Sequence, residues 1–254
     1  MTHPAPIELT VVSAGYAPVK GTAHRPYDVV ELAPSGAVGD RGLCLVDLEQ
    51  HRVLRTIQNP RLLTVLARRA GDRLEVTVPG AAPLAAPIEP TGESVTCDYW
   101  GRPVELRVLA GPHADLLGDH LGKRVTLTAA PPATVVYDGA GVTLVGTASL
   151  RELGERAGLD LLAESARFRA TLVVETDEPY VEETWLGRDL AAGDARLRAG
   201  VPIPRCAVID HSPTTGEKDV RLLKTLASYR PLNGAGEPVF GIYAQVTTAA
   251  TVNS

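Results

Sequence analysis

Twenty-four glycines and twenty prolines punctuate this chain of 254 residues, while it holds only two tryptophans and two phenylalanines. So many turn formers favour a β-rich fold whose core is built from Val, Leu and Ala. Between the punctuators lie short β-favouring runs: Ile7–Val12, Tyr27–Leu32, Leu43–Leu48, Leu62–Ala67, Arg73–Val78 and Val104–Leu109. They read as the strands of a barrel or sandwich. Pro112 to Leu121 is the first helix, with Ala114, Leu117 and Leu121 on one side and Gly122 as its stop, followed by a strand at Val125–Leu127. The Ala-Pro-Pro-Ala stretch at residues 130–133 reads as a linker.

Thr147 or Ser149 caps a second helix that runs to about Arg156. Strand character returns at Phe168–Glu175, then a turn at Glu182–Leu186, a strand at Ala195–Arg198 and the stretch Val201–Ile209. A polar turn at His211–Gly216 precedes a helix over Asp219–Tyr229 and a closing strand at Phe240–Val246. The expectation is about fourteen short strands and three helices, a β-dominated α+β fold of one large domain or two small lobes.

Hydrophobic residues make up 44% of the chain and charged residues 22%, which excludes the disordered class. A formal charge of -5 gives no basic footprint for nucleic acid or an anionic membrane surface. The leading Met-Thr-His-Pro-Ala-Pro has no basic and apolar leader pattern, and no apolar run approaches the roughly 20 residues of a membrane span. The expected compartment is the cytoplasm, with neither nucleic acid nor membrane as a partner.

Several motifs fail on their context. Gly139 and Gly141 precede an apolar run, whereas a dinucleotide loop must follow one, so they read as a tight turn. His113 and His120 lie too far apart for a helical zinc pair and have no carboxylate base between them; they read as solvated surface histidines. No nucleophile elbow, Walker loop or glycosidase-like carboxylate pair is present. The three cysteines, Cys44, Cys97 and Cys206, are odd in number and widely spaced, which argues against a disulfide framework or a four-thiolate cluster.

Cys206 stands apart by its neighbours. Arg205 precedes it, two prolines stiffen the approach, and a polar turn follows. A cationic neighbour favours the thiolate needed for metal ligation or nucleophilic attack; the alternative is an inert cysteine buried in a core strand. Cys44 and Cys97, inside strand-like runs, read as core residues.

The segment Val201-Pro-Ile-Pro-Arg-Cys-Ala-Val-Ile-Asp-His-Ser-Pro-Thr-Thr-Gly216, with Leu223–Arg230 and Val239–Ala244 after it, resembles the carboxy-terminal half of a MOSC domain. Upstream, Tyr16-Ala-Pro-Val-Lys-Gly21, Gly39-Asp-Arg-Gly42, Asn59-Pro-Arg-Leu62 and Arg167-Phe-Arg169 resemble the amino-terminal β-barrel and early core of the same proteins. That family includes molybdenum cofactor sulfurase carboxy-terminal domains and amidoxime-reducing proteins. The resemblance implies an amino-terminal β-barrel-like lobe over 1–128, contributing Lys20 and Arg41, and a MOSC core over 129–254 carrying Cys206. It further implies a molybdopterin-type cofactor, with Cys206 as the soft thiolate ligand to molybdenum.

Lys20 and Arg169 are then the phosphate and pterin cations, Arg41 fits the Gly-Asp-Arg block, and Arg205 favours the anionic sulfur. Thr147 and Ser149 occupy a helix start, where N–H groups and hydroxyls suit an anion. Taken singly, Arg41 reads equally as a partner of Asp40, Ser149 as a helix cap and Lys20 as a solvated strand end. Departures exist as well: Ala170 and Thr171 stand where the family often has Pro-Asn, and Pro204 where a small residue is common two before the cysteine.

Three functions follow as expectations. The first is a molybdenum cofactor oxidoreductase that reduces N-hydroxylated small molecules with electrons from an external ferredoxin- or flavin-type donor. The second is a metal-free sulfur carrier in which Cys206 holds a persulfide and no cofactor is bound. The third, a delivery module without catalysis, has no positive signal in the sequence.

Overall fold

The computed structural model describes residues 4–99, 101–130 and 141–254. Apart from Ala130, the expected linker lies outside these residues, as does Gly139. The largest element is an eight-stranded sheet in the order Ile7–Glu8, Asp189–Ala192, Ala195–Pro204, Val239–Thr248, Val142–Gly146, Leu172–Val174, Val11–Tyr16 and Arg25–Pro26. Strands from before residue 128 therefore share one sheet with strands from after it. Five strands, Leu43–Asp47, Arg52–Val53, Glu89–Tyr99, Arg102–Ala110 and Val125–Ala129, close into a barrel. The fold is β-dominated α+β, as expected.

Burial explains the patterning. Val142–Gly146 is buried at every position because it pairs with Leu172–Val174 on one side and Val239–Thr248 on the other, so its sequence is a continuous small and apolar run. Arg73–Thr77 instead alternates, with Leu74 and Val76 inward and Arg73 and Glu75 outward. The fully buried Leu144, Leu172 and Ile242 join in one core, each contributing about 2 kcal/mol of burial free energy.

Among the described residues three α-helices flank the sheets: α1 (His113–Leu121), α2 (Thr147–Ala157) and α3 (Leu222–Ala227). Gly122 ends α1 in the left-handed conformation at φ 65°, the role expected for it. The third helix is shorter than its expected span because Asp219 leaves it to pair with Arg167 at 2.8 Å. Near residue 62, Pro60–Thr64 forms a 3-10 turn, and the strand begins only at Leu66. Over 168–175 only Leu172–Val174 is strand, since Ser165–Phe168 is a 3-10 turn. The described residues hold nineteen strands rather than about fourteen, several of them only two residues long.

The surface reading of the two α1 histidines is wrong. His113 is fully buried and its Nε2 donates to the Leu74 carbonyl at 2.7 Å, tying α1 to the strand Arg73–Thr77. His120 is buried too, with Nε2 3.0 Å from the Thr64 hydroxyl. Both fasten the helix to the barrel side of the molecule. Among the described residues no helix is long and apolar enough to cross a membrane.

Candidate functional site

Between sheet and barrel, three basic side chains from three distant segments converge. Lys20 follows a parallel bridge between Val19 and Leu43, and its N–H donates to the Leu43 carbonyl at 2.7 Å, so the end of a sheet strand is laid along a barrel strand. Arg41 docks on the same segment. Its N–H reaches the Ala17 carbonyl at 2.8 Å, and the Asp40 carboxylate accepts from the Ala17 N–H at 3.2 Å. The Asp40 carboxylate also pairs with the Arg41 guanidinium, accepting from Nε at 2.8 Å. Arg169 closes the turn Ser165–Phe168 and donates from Nη1 to the Thr22 carbonyl at 2.7 Å.

Arg41 and Arg169 both sit at positive φ, 49° and 52°, a conformation that costs a side-chain-bearing residue about 1 kcal/mol or more. The surrounding hydrogen bonds hold them there.

The charges work against one another. Burial, followed by repulsion from Arg41 and Arg169, pulls the Lys20 ammonium down to about 7. Its Nζ lies 5.1 Å from the centre of the Tyr99 ring, an arrangement that partly compensates the lost hydration. Arg169 falls to about 10 through burial and the neighbouring Arg41, with Asp40 and the Cys206 sulfur pulling it back up. That coupling places Cys206 within electrostatic reach of Arg169. A fourth group, His24, was not singled out in the sequence. Burial and Arg169 hold it neutral, down to about 4, and its Nε2 has no hydrogen-bond partner.

Cys206 lies just past the end of the strand Ala195–Pro204, with extended backbone at φ -111°, and leads into the 3-10 turn Ala207–Asp210. Unlike the other two cysteines its residue is exposed. Arg205 fixes the approach from beneath: Nε donates to the Phe240 carbonyl and Nη1 to the Phe168 carbonyl, each at 2.9 Å, over the rings of Phe168 and Phe240. Gly241, at φ 72°, makes room for this clamp, because a Cβ there would meet the Leu144 carbonyl at 2.5 Å and Arg205 Nη2 at 3.3 Å. After the cysteine, the Asp210 carboxylate accepts from the Leu223 N–H at 2.8 Å and pairs with Lys218 at 3.2 Å. The loop is thus anchored to α3.

Thr147 and Ser149 do stand at the start of α2, but their hydroxyls are engaged within the fold. Ser149 donates to the buried Glu182 carboxylate at 2.8 Å, which also accepts from the Gly146 N–H at 3.0 Å. Thr147 exchanges hydrogen bonds with the backbone of Thr176, and the Thr176 hydroxyl accepts from the Ala148 N–H at 3.0 Å. The N-cap is Gly146, not Thr147 or Ser149, and the helix start is satisfied by side chains from another segment. Its anion is the protein's own Glu182.

Among the described residues, no group of three or more His, Cys, Asp and Glu side chains could hold a metal ion. A cofactor with a phosphate or another anionic arm fits the residues present: a soft sulfur for the metal, and Lys20, Arg41 and Arg169 for the anion.

Residues 132–254 match the model of the MOSC domain. Over 241 residues the chain is 27% identical to the mitochondrial amidoxime reducing component 2 of Rattus norvegicus, covering 83% of this chain and 70% of that protein. It is 25% identical over 244 residues to the molybdenum cofactor sulfurase of Caenorhabditis briggsae, covering 92% of this chain but 33% of the relative. The chain thus spans only about a third of the sulfurase. A solved structure, the YUAD protein from Bacillus subtilis, aligns over 96% of this chain and 91% of its own at 10% identity, with a TM-score of 0.45.

Proposed function

We propose, from the premise that residues 132–254 carry a MOSC domain homologous to amidoxime-reducing and molybdenum cofactor sulfurase proteins, that this chain is a molybdenum cofactor-dependent reductase of N-hydroxylated small molecules. One observation supports the reading: the charges of Arg41 and Arg169 oppose that of Lys20, Asp40 raises both Lys20 and Arg169, and Arg169 also feels the sulfur of the exposed Cys206. Such a cluster gains stability from an anion, since a phosphate replaces cation–cation repulsion with charge-assisted hydrogen bonds. In this reading Lys20, Arg41 and Arg169 hold the phosphate and pterin edges, and Cys206 supplies the protein's thiolate to molybdenum. When bound, the cofactor supplies the two-electron couple that cleavage of an N–O bond requires.

The chain's own residues do the positioning. Arg205, clamped to two backbone carbonyls, and Asp210, tied to α3, fix the backbone on either side of Cys206. Exposure of Cys206 leaves its outer side open to a substrate. Electrons come from an external donor.

Molybdenum content and turnover of an aryl amidoxime by the reconstituted wild type, beside Cys206→Ser, test the reading. Metal retention and turnover in the wild type, both lost in the variant, are expected; a wild type that neither retains molybdenum nor turns over the amidoxime refutes it. A second reading, the metal-free sulfur carrier, is favoured by the accessibility of the Cys206 sulfur. It predicts a mass gain of one sulfur atom at Cys206 and little molybdenum.

A further inference from the structure

A groove of about 520 Å³ runs between α2 and α3, lined by Arg156, Arg221, Lys224, Thr225 and Ser228. Three cations and no carboxylate line it, on a chain whose net charge is -5. Arg156 has local reasons to be there: it pairs with Glu152 one turn earlier on α2 and lies 4.1 Å over the Tyr229 ring. Lys224, in the last turn of α3, complements the helix dipole. Arg221 has no such reason. It is the N-cap of α3, the end at which the dipole disfavours a cation, and neither it nor Lys224 has an ion-pair partner among the described residues.

The groove is connected to the thiol through packed rings. Tyr229, beneath Arg156, hydrogen-bonds Tyr180 through their hydroxyls at 2.6 Å. The Tyr180 ring lies 6.1 Å from Phe240 in an edge contact, and Phe240 stacks on Phe168 at 4.7 Å. Arg205 covers both phenylalanines, and Cys206 is the next residue. By a second route α3 holds the Cys206 turn directly, through the bond from the Leu223 N–H to Asp210. A donor seated in the groove is therefore linked to Cys206 through continuous protein packing.

We propose that the α2–α3 groove is the docking surface for an acidic redox protein that delivers electrons to the Cys206 site. The inference rests on the reductase reading above. Cleaving R–NH–OH to R–NH2 and water consumes two electrons and two protons, so the donor is oxidised by two one-electron steps while solvent supplies the protons. Exposed cations facing an acidic partner raise the encounter rate, and salt removes the advantage.

The test uses the full cofactor-loaded chain, an Arg221→Glu/Lys224→Glu variant, and three donors: a flavodoxin, a plant-type ferredoxin, and reduced benzyl viologen, which needs no docking surface. With either protein donor at low ionic strength, kcat/KM of the variant is expected to fall about tenfold or more, and the two proteins to converge near about 0.5 M salt. Calorimetric binding of the oxidised protein donors weakens in parallel, while viologen-driven turnover stays within about twofold, the change expected for surface substitutions away from the site. Unchanged protein-driven rates and binding in the variant overturn the proposal and leave the reductase reading standing. Equal losses with all donors overturn it as well, assigning the cations to the fold. So does failure of both protein donors to reduce a wild type that viologen reduces. A wild type inactive with viologen sinks the reductase reading itself.

Discussion

Cys44 in the barrel and Cys206 past the end of the sheet are the same residue in opposite settings. Cys44 is fully buried, donates its S–H to the Thr128 hydroxyl at 3.1 Å, and is pushed up to about 11 by burial. The neighbouring Lys20 charge pulls that thiol down, but less than burial pushes it up. Cys206 is exposed and sits at the start of a 3-10 turn anchored on both sides. At Cys44 a cationic neighbour is thus outweighed by burial, and of the three cysteines only Cys206 is accessible to a reactant.

Substituting each cysteine in turn breaks or sharpens that contrast, and the largest effect belongs to Cys206→Ser. A hard hydroxyl in place of a soft ligand is expected to cut molybdenum retention and turnover by about 100-fold or more, since even outer-shell partners of a metal cost roughly 10–100-fold. Cys44→Ser leaves chemistry intact and lowers stability by about 1–3 kcal/mol, the cost of burying a poorly paired hydroxyl. Metal analysis and urea melts on both variants provide the comparison; equal chemical losses would erase the distinction.

Removing Glu182 acts on the sheet side without touching either thiol. Glu182→Ala strands the Gly146 N–H and the Ser149 hydroxyl in a buried site, at a cost of about 3 kcal/mol. Denaturant unfolding should show that loss, with Glu182→Gln retaining part of the stability because one acceptor oxygen survives.

A smaller effect follows from Lys20, where sheet and barrel meet. Its folded value of about 7 lies below the ordinary lysine range, so between those values the unfolded chain binds more protons than the native one. Stability from this group therefore rises as pH climbs from about 7 toward about 10, and below 7 the full cost of the buried charge is present. Lys20→Met should be more stable than wild type at pH 6 and should flatten this part of the profile. Inorganic phosphate should stabilise the wild type more than the variant. A profile identical in both proteins would mean that neither burial nor the neighbouring cations depress Lys20.

The smallest expected change is back in the barrel. Thr128→Val removes the acceptor for the Cys44 thiol and the donor to the Cys44 carbonyl, costing about 1 kcal/mol with no change in metal content.

Why the sequence revealed some of this and not the rest follows from the range over which each residue acts. Lys20, Arg41, Arg169 and Cys206 sit in short blocks with a family resemblance, and the structure brings the three cations together. Gly122 was readable because a helix stop is a local event. Glu182 and Thr176 escaped because they satisfy a helix start 28 to 36 residues away, a pairing that no local pattern encodes. His113 and His120 resemble surface residues in the sequence because polarity alone does not reveal their partners. Leu74 and Thr64, which justify their burial, lie 39 and 56 residues earlier.

The edge strand Ala250–Asn253 pairs antiparallel with Val29–Ala33, and the Ser254 hydroxyl donates to the Tyr27 carbonyl 227 residues away. During synthesis Val29–Ala33 waits for almost the whole chain described here before it finds that partner. Loop closure over such a span makes the step slow, and until then Val29–Ala33 has only its local partner Gly36–Ala37 and lacks the second ladder of the finished fold. An emerging chain is therefore a better target for chaperones than the finished molecule, and slowing translation near the carboxy-terminal end of this sequence should lower soluble yield without changing the stability of what does fold.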